Sequence, residues 1–231
     1  MGRHQAASRN GGTTLEQLRG DILSGRRAPG SRLVFSDLVA AYGCSTGVAR
    51  EALQRLAGEG LVEAEAKQGF QVISVSIPDL IDLTDARCEF ESVALRYAIE
   101  AGSFAWEGEA VAAMHVLDRT PQYDQADTGR FSEDWVTAHN TFHRALLAGC
   151  PNHRILSVAS GLREAAELYR RWSTPLADRD RDISGEHHAI LDSVLERDVD
   201  RAINLLQAHI RRTTERLIPR LTENEPAAAA G

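Results

Sequence analysis

Four histidines carry the clearest signal of chemistry in this chain. His139 and His143 stand four residues apart in A-H-N-T-F-H-R-A-L-L, a spacing that puts both imidazoles on one face of a helix. His187 and His209 lie eleven residues before and eleven residues after Asp198, in the R-D-V-D break between two helical runs. If those runs fold back antiparallel, each ring is about 16 Å from the turn at 1.5 Å per residue, so the two stand level. Imidazoles converging in this way suit a divalent metal ion. On the residues alone two readings stay open: a metal-binding quartet, and four core histidines satisfied by hydrogen bonds. His4, His115 and His153 read as isolated surface or core residues. His188, turned about 100° from His187, faces elsewhere.

The elements that must position these rings are helical. From Pro78 onward the periodicity predicts six amphipathic helices, over 78–101, 106–118, 131–149, 153–172, 180–196 and 199–217. The first third of the chain is different. Leu15, Leu18 and Ile22 mark a helix with Thr14 as its N-cap and Gly25 as its stop. Ser36 is placed to cap a short second helix ending at Gly43, and Ser45 or Thr46 a third that ends at G-E-G. Then L-V-E-A-E-A and F-Q-V-I-S-V-S alternate around K-Q-G, the pattern of a β-hairpin. Three short helices and a hairpin make a winged helix-turn-helix. The expected fold is therefore mainly α: a winged helix-turn-helix over 13–76 and an all-α six-helix bundle over 77–220, with tails at 1–12 and 221–231.

Composition narrows the class. Hydrophobic residues are 43% and charged residues 26% of the 231, the ordinary range of soluble globular chains. No apolar run approaches the roughly 18 residues of a membrane span, and the first ten residues have no signal-peptide pattern, so a cytoplasmic protein with no membrane partner is expected. Cys44, Cys88 and Cys150 show no C-x-x-C spacing and read as reduced packing residues. The net charge of −7 is unevenly shared. Residues 1–76 hold nine Lys+Arg against seven Asp+Glu, which leaves seventeen against twenty-six for the rest. A slightly basic first part is compatible with nucleic acid.

In a winged helix-turn-helix the third helix enters the major groove N-terminus first. Here that presents Ser45, Thr46, Gly47 and Arg50 to base edges, with Lys67, Gln68 and Gly69 at the wing tip near the DNA backbone. The run L-V-F-S-D-L-V-A-A-Y-G-C-S-T-G-V-A-R-E-A-L-Q-R-L-A-G-E-G-L-V, followed by Q-G-F-Q-V, resembles the DNA-binding domain of the GntR superfamily of bacterial transcription regulators. That family commonly has arginines where Ser36 and Thr46 stand, so of three frequent DNA-contacting arginines only Arg50 carries over. Residues 78–217 resemble the FCD effector domain of the FadR branch, in its shorter, VanR-like form. The A-H-N-T-F-H-R-A-L-L-A-G-C tract is most similar to the subgroup of carbon-starvation-induced glutarate repressors.

This resemblance implies a divalent metal inside the bundle, bound by His139, His143, His187 and His209. His139 takes a position where the family has Asp or Asn. Four imidazoles favour zinc, with nickel or iron as alternatives, and leave the ion's full charge to attract an anionic ligand. The resemblance also places Arg87 at the effector cavity, where a guanidinium can take a carboxylate through two parallel hydrogen bonds. Arg87 and Glu91 equally fit a surface i,i+4 ion pair. Y-R-R-W at Tyr169 to Trp172 could add a lining aromatic or cation. The function implied is a homodimeric repressor that binds double-stranded operator DNA and is released by a small carboxylate effector. Two alternatives stand beside it: a metal-dependent enzyme, for which the sequence has neither H-E-x-x-H nor a nucleophile elbow, and a constitutive DNA-binding protein with a structural metal.

Overall fold

The fold is taken from a computed structural model that describes residues 13–65, 69–124, 131–173 and 181–224. The chain divides into two units, Met1–Val75 and Ser76–Gly231.

The first unit begins with α1, Thr14–Leu23. Its N-cap is Thr13, one residue before the expected Thr14, because only Thr13 has a glutamate three positions on. The Glu16 amide donates to Thr13 Oγ1 (3.3 Å) and the Thr13 amide to Glu16 Oε2 (2.7 Å), a reciprocal capping box. Strand β1 (Arg32–Leu33) leads into α2 (Phe35–Tyr42), and α3 (Thr46–Gly58) follows after three residues. Ser36 is not the cap of α2. Val34 holds that place, and Phe35 packs edge-on against Phe70, so a tertiary contact fixes the helix start. Gly43, at φ 63°, ends α2 in the left-handed conformation that favours glycine. Ser45 caps α3 by accepting from the Val48 amide (3.3 Å).

The wing consists of β2 (Val62–Glu65) and β3 (Gly69–Val72), paired antiparallel with Val62 opposite Val72 and Glu65 opposite Gly69. The two-residue β1 joins the free edge of β3, giving the order β1-β3-β2. A strand that short shows no alternation, which is why sequence periodicity passes over it. Leu18, Ile22, Leu38, Leu53, Leu56 and Val72 are fully buried beneath the sheet and helices.

The second unit has α4 (Ile77–Ala101), α5 (Phe104–Arg119), α6 (Glu133–Leu147), α7 (His153–Ser173), α8 (Ile183–Leu195) and α9 (Val199–Asn224). Serines or an aspartate cap four of them: Ser76, Ser103, Ser132 and Asp182. Helix α4 runs along α7 and α9, α5 lies against α6 and α8, and α8 packs on α9. The α8–α9 turn is pinned by Arg197, at φ 57°, whose guanidinium donates to the carbonyls of Ile99 (2.8 Å) and Gly102 (2.9 Å) at the end of α4. That anchor sets the height of the antiparallel pair, and with it His187 against His209. Trp106 closes the same corner. A Cβ on Gly102 would lie 2.1 Å from its ring, so only glycine fits. Among the described residues no helix is long and apolar enough to cross a membrane.

Candidate metal and effector site

Helix α6 brings His139 and His143 to the bundle interior on the same face as Ala138, Phe142 and Leu146. Helices α8 and α9 bring His187 and His209. The four rings are 0–5% exposed, and one ring nitrogen from each lies within 4.8 Å of the others. The closest approach is His143 Nε2 to His187 Nε2, 3.3 Å. The structure thus brings together the two pairs, His139 with His143 and His187 with His209, that spacing predicts separately.

Burial, first of all, holds the imidazoles neutral. It pushes His139, His143 and His187 well below their usual value, with the nearby Arg170, Arg163 and His209 respectively acting in the same direction. His209 is lowered to about 4 by burial, against the opposing hydrogen bond of Glu186. Neutral rings are the form that ligates a metal.

Hydrogen bonding tests whether the donor set fits such an ion. Four buried rings present eight nitrogens, yet His143 and His187 can share only one proton between their Nε2 atoms. His187 Nδ1 is buried with no hydrogen-bond partner among the described residues. Unsatisfied buried nitrogens are costly, and a cation between the rings would occupy lone pairs that water cannot reach. The residues fit a metal.

The surroundings are cationic. Arg87 and Arg163 flank the fully buried Glu91, with Arg87 Nε at 2.7 Å and Arg163 Nη1 at 3.2 Å from its two oxygens. Burial alone would push the Glu91 carboxyl up, but the two guanidiniums hold it below the usual range. Burial brings Arg163 down to about 10. The Arg87–Glu91 pair is therefore not a surface pair: Arg87 is in the interior, engaged through Nε, and a carboxylate could meet the Nη edge of its fork without displacing Glu91. Arg170 reaches His139 Nδ1 (3.2 Å) and Asn140 Oδ1 (3.0 Å), and it pairs with Glu167.

Further contacts around the site escape helical-wheel reasoning. Glu186 sits one residue from His187, so an isolated wheel turns it aside, yet it accepts from His209 Nδ1 (2.9 Å) across the α8–α9 groove. Arg181 and Arg212 bind the same carboxylate. Arg163 and Arg170 lie on α7 in line with Ala159 and Ala166, both buried. Tyr169 bonds Asp79 and the Ser76 amide at the start of α4. The side chain of Trp172 lies outside the described residues.

Against known proteins, residues 12–72 match the model of the bacterial regulatory proteins of the gntR family, and residues 82–212 match the FCD domain. The chain belongs to the GntR family of bacterial transcriptional regulators, in its FCD-containing, FadR-type branch. It is 36% identical over 197 residues to the HTH-type transcriptional regulator BphR of Paraburkholderia xenovorans (strain LB400), covering 85% of this chain and 80% of that one. It is 32% identical over 197 residues to the HTH-type transcriptional repressor GlaR of Escherichia coli (strain K12), covering 84% and 89%. A GntR-type regulator from Rhodococcus sp. RHA1 shares the fold at TM-score 0.68, with 23% identity over 89% of this chain and 95% of that one. E. coli McbR/YncC does so at 0.70, with 19% identity over 90% and 96%. The protein is a DNA-binding transcription regulator and not an enzyme.

In this GntR-family chain, Ser45, Thr46, Gly47 and Arg50 all lie exposed at the N-terminal end of α3. The Arg50 guanidinium rests 4.8 Å over the Phe35 ring, which steadies a side chain otherwise free in solvent. Gly69 opens β3 at φ 94°, exposed, while Lys67 and Gln68 lie outside the described residues.

Proposed function

We propose that this regulator is a homodimeric, cytoplasmic repressor whose helical unit senses a small carboxylate at a metal ion, zinc by preference and nickel or iron as alternatives. The observation that carries the reading is a fully buried cluster of four neutral imidazoles, with Arg87, Arg163 and Arg170 close by. Metal held by His139, His143, His187 and His209 would supply Lewis acidity toward an anion. Arg87 would take a carboxylate through its fork. Two copies would read the half-sites of a near-palindromic operator through Ser45, Thr46, Gly47, Arg50 and the wing tip at Lys67, Gln68 and Gly69. Phe90, Val93 and Tyr97 form an exposed apolar row on α4, as a self-pairing face requires. The repressor name of the GlaR relative supports the sign of regulation.

Signal passes through α7 in this reading. Arg170 touches His139, and its neighbour Tyr169 holds the Ser76 amide (3.4 Å) and Asp79 where the helical unit begins. An anion that repositions Arg170 thereby acts on the residue joined directly to the winged unit. Such coupling needs the anion to bind the DNA-competent and DNA-incompetent arrangements with different affinity.

The test is a thermal-shift screen against short mono- and dicarboxylates, glutarate included, with metal-loaded and chelator-stripped protein, followed by operator release in fluorescence anisotropy. One acid should stabilise only the loaded protein and should release DNA. His143→Ala should abolish both effects. An unaltered effector response in that variant refutes the metal reading, and stabilisation by metal with no response to any acid makes the ion structural.

A further inference from the structure

The four histidines are not equivalent, and the difference lies in what faces each Nδ1. His209 Nδ1 is 2.9 Å from a carboxylate oxygen of Glu186. Arg181 Nη2 also comes within 3.2 Å of that nitrogen, but it is bound more closely to Glu186 (2.6 Å) and to the His209 carbonyl (3.1 Å). The His209 proton therefore sits on Nδ1 and donates to Glu186, which leaves Nε2 as a bare lone pair. This is the usual support for a metal-ligating imidazole.

His139 has the opposite arrangement. Its Nδ1 lies 3.2 Å from Arg170 Nη1. A guanidinium offers only N–H donors and keeps its proton, so this Nδ1 must be the acceptor. A neutral imidazole has one N–H, which for His139 is then on Nε2. A protonated ring nitrogen has no lone pair for a metal. The guanidinium is itself held in place: Nη2 donates to Asn140 Oδ1 (3.0 Å) and the group pairs with Glu167. On its far side the His139 ring stacks on Trp135, with centroids 4.9 Å apart and planes 23° apart, which limits rotation.

The ring positions agree. The centroids of His143, His187 and His209 are 4.7–5.1 Å from one another. His139 is 4.6 and 4.9 Å from the first two but 6.2 Å from His209, displaced to one side of the triangle.

We propose that His143, His187 and His209 alone hold the metal, and that His139, its tautomer set by Arg170, is a hydrogen-bond donor to the anionic effector. Three protein ligands leave a coordination position open, and the anion that fills it accepts from His139 Nε2–H. Histidine in this place would then do what a carboxylate could not: it donates to the effector instead of repelling it. Arg170 becomes a positioning residue that selects the donor form. The inference rests on the metal-and-carboxylate reading above and narrows its ligand set from four histidines to three, releasing His139 from the metal.

Metal titration without DNA separates the two. Chelator-stripped full-length protein is titrated with Co²⁺, followed by visible absorption and calorimetry, for wild type, His143→Gln, His139→Phe and Arg170→Gln. The His139→Phe change keeps the stack on Trp135 and removes both nitrogens. It should leave Co²⁺ affinity within about three-fold and the band shape unaltered, whereas His143→Gln should lose at least about 100-fold. Arg170→Gln frees the His139 proton to move, so the bands should gain the intensity of a four-nitrogen tetrahedral site. With metal bound, His139→Phe should weaken the stabilising carboxylate by about ten-fold, and His139→Gln, which keeps an N–H donor, should restore most of it. The glutamine variant also serves if the phenylalanine variant folds poorly. The proposal is overturned if His139→Phe and His139→Gln lose Co²⁺ as His143→Gln does, or if Arg170→Gln leaves the spectrum unaltered. Wild-type protein that takes up no Co²⁺ overturns the metal reading and this inference together. Intact metal behaviour with no carboxylate response overturns only the effector role.

Discussion

Lowering the pH from 7 to 5 should destabilise the metal-stripped helical unit severely, and the size of the effect follows from the buried quartet. In the unfolded chain each histidine titrates near 6.5. In the fold, His209 is lowered to about 4, and His139, His143 and His187 lie well below their usual value. Between those limits the unfolded chain binds protons that the native state refuses, so stability is full above the unfolded value and is lost as pH falls. At about 1.4 kcal/mol per proton per pH unit, the 1.5 units below 6.5 cost about 2 kcal/mol for His209, and the other three rings act in the same direction. His209 alone thus accounts for a sizeable part of the stability of an ordinary domain, about 5–15 kcal/mol. The lowered carboxyls of Glu91 and Glu186 do not confuse the window, since their contribution is lost only below the usual carboxylate value. The assay is urea unfolding by circular dichroism at pH 7, 6 and 5. The winged unit, which holds none of the quartet, provides an internal reference. His143→Gln should flatten the pH slope by about one proton. A loss below about 2 kcal/mol in the wild type refutes the claim that four rings are neutral by burial.

Glu91→Gln should destabilise the helical unit by about 3–5 kcal/mol in the same unfolding assay, because it leaves two interior guanidiniums without their shared carboxylate; a loss under about 1 kcal/mol would mean that solvent already screens them. Glu186→Gln should weaken metal binding by about 10–100-fold in calorimetry, with native circular dichroism retained, since the variant no longer fixes His209 by a charged acceptor. Tyr169→Phe removes the bond to Asp79 and to the Ser76 amide. It should leave carboxylate-induced thermal stabilisation intact while reducing operator release, and equal release in both proteins removes α7 from the signalling route.

What the sequence made legible and what it hid follow from the range of the interactions. The helices of the second unit follow local periodicity, and the pairs His139/His143 and His187/His209 follow from a helical spacing and one turn, but that the two pairs meet followed only from the family resemblance. The caps were legible only where the motif was complete: T-x-x-E identifies Thr13, whereas Ser36 loses its place to a contact between Phe35 and Phe70 that no local rule contains. Strand β1 was hidden because two residues have no period. The second layer around the histidines was hidden for a different reason. Glu186 and Arg170 act through long side chains that cross between helices, so their direction on a wheel does not say where their charges end. Arg87 was recognisable as a candidate, but its partner Arg163, seventy-six residues on, required the packing of α4 against α7.

That packing leads to a last consequence. Among the described residues, Arg87 and Arg163 share one carboxylate, that of Glu91, so this trio is one positive charge in excess before any ion enters. Neutral imidazoles add nothing to offset a divalent ion. Metal binding alone therefore works against the local charge, and an anion binding next to it relieves both. Linkage makes the relief mutual: whatever factor the metal adds to carboxylate affinity, the carboxylate must add to metal affinity. Calorimetric titration of the metal with and without a saturating stabilising acid should show a tighter metal by the same ratio that thermal shifts give for the acid. Unequal ratios would mean that the two ligands do not share one site, and the arginines would then have to be explained by folding alone.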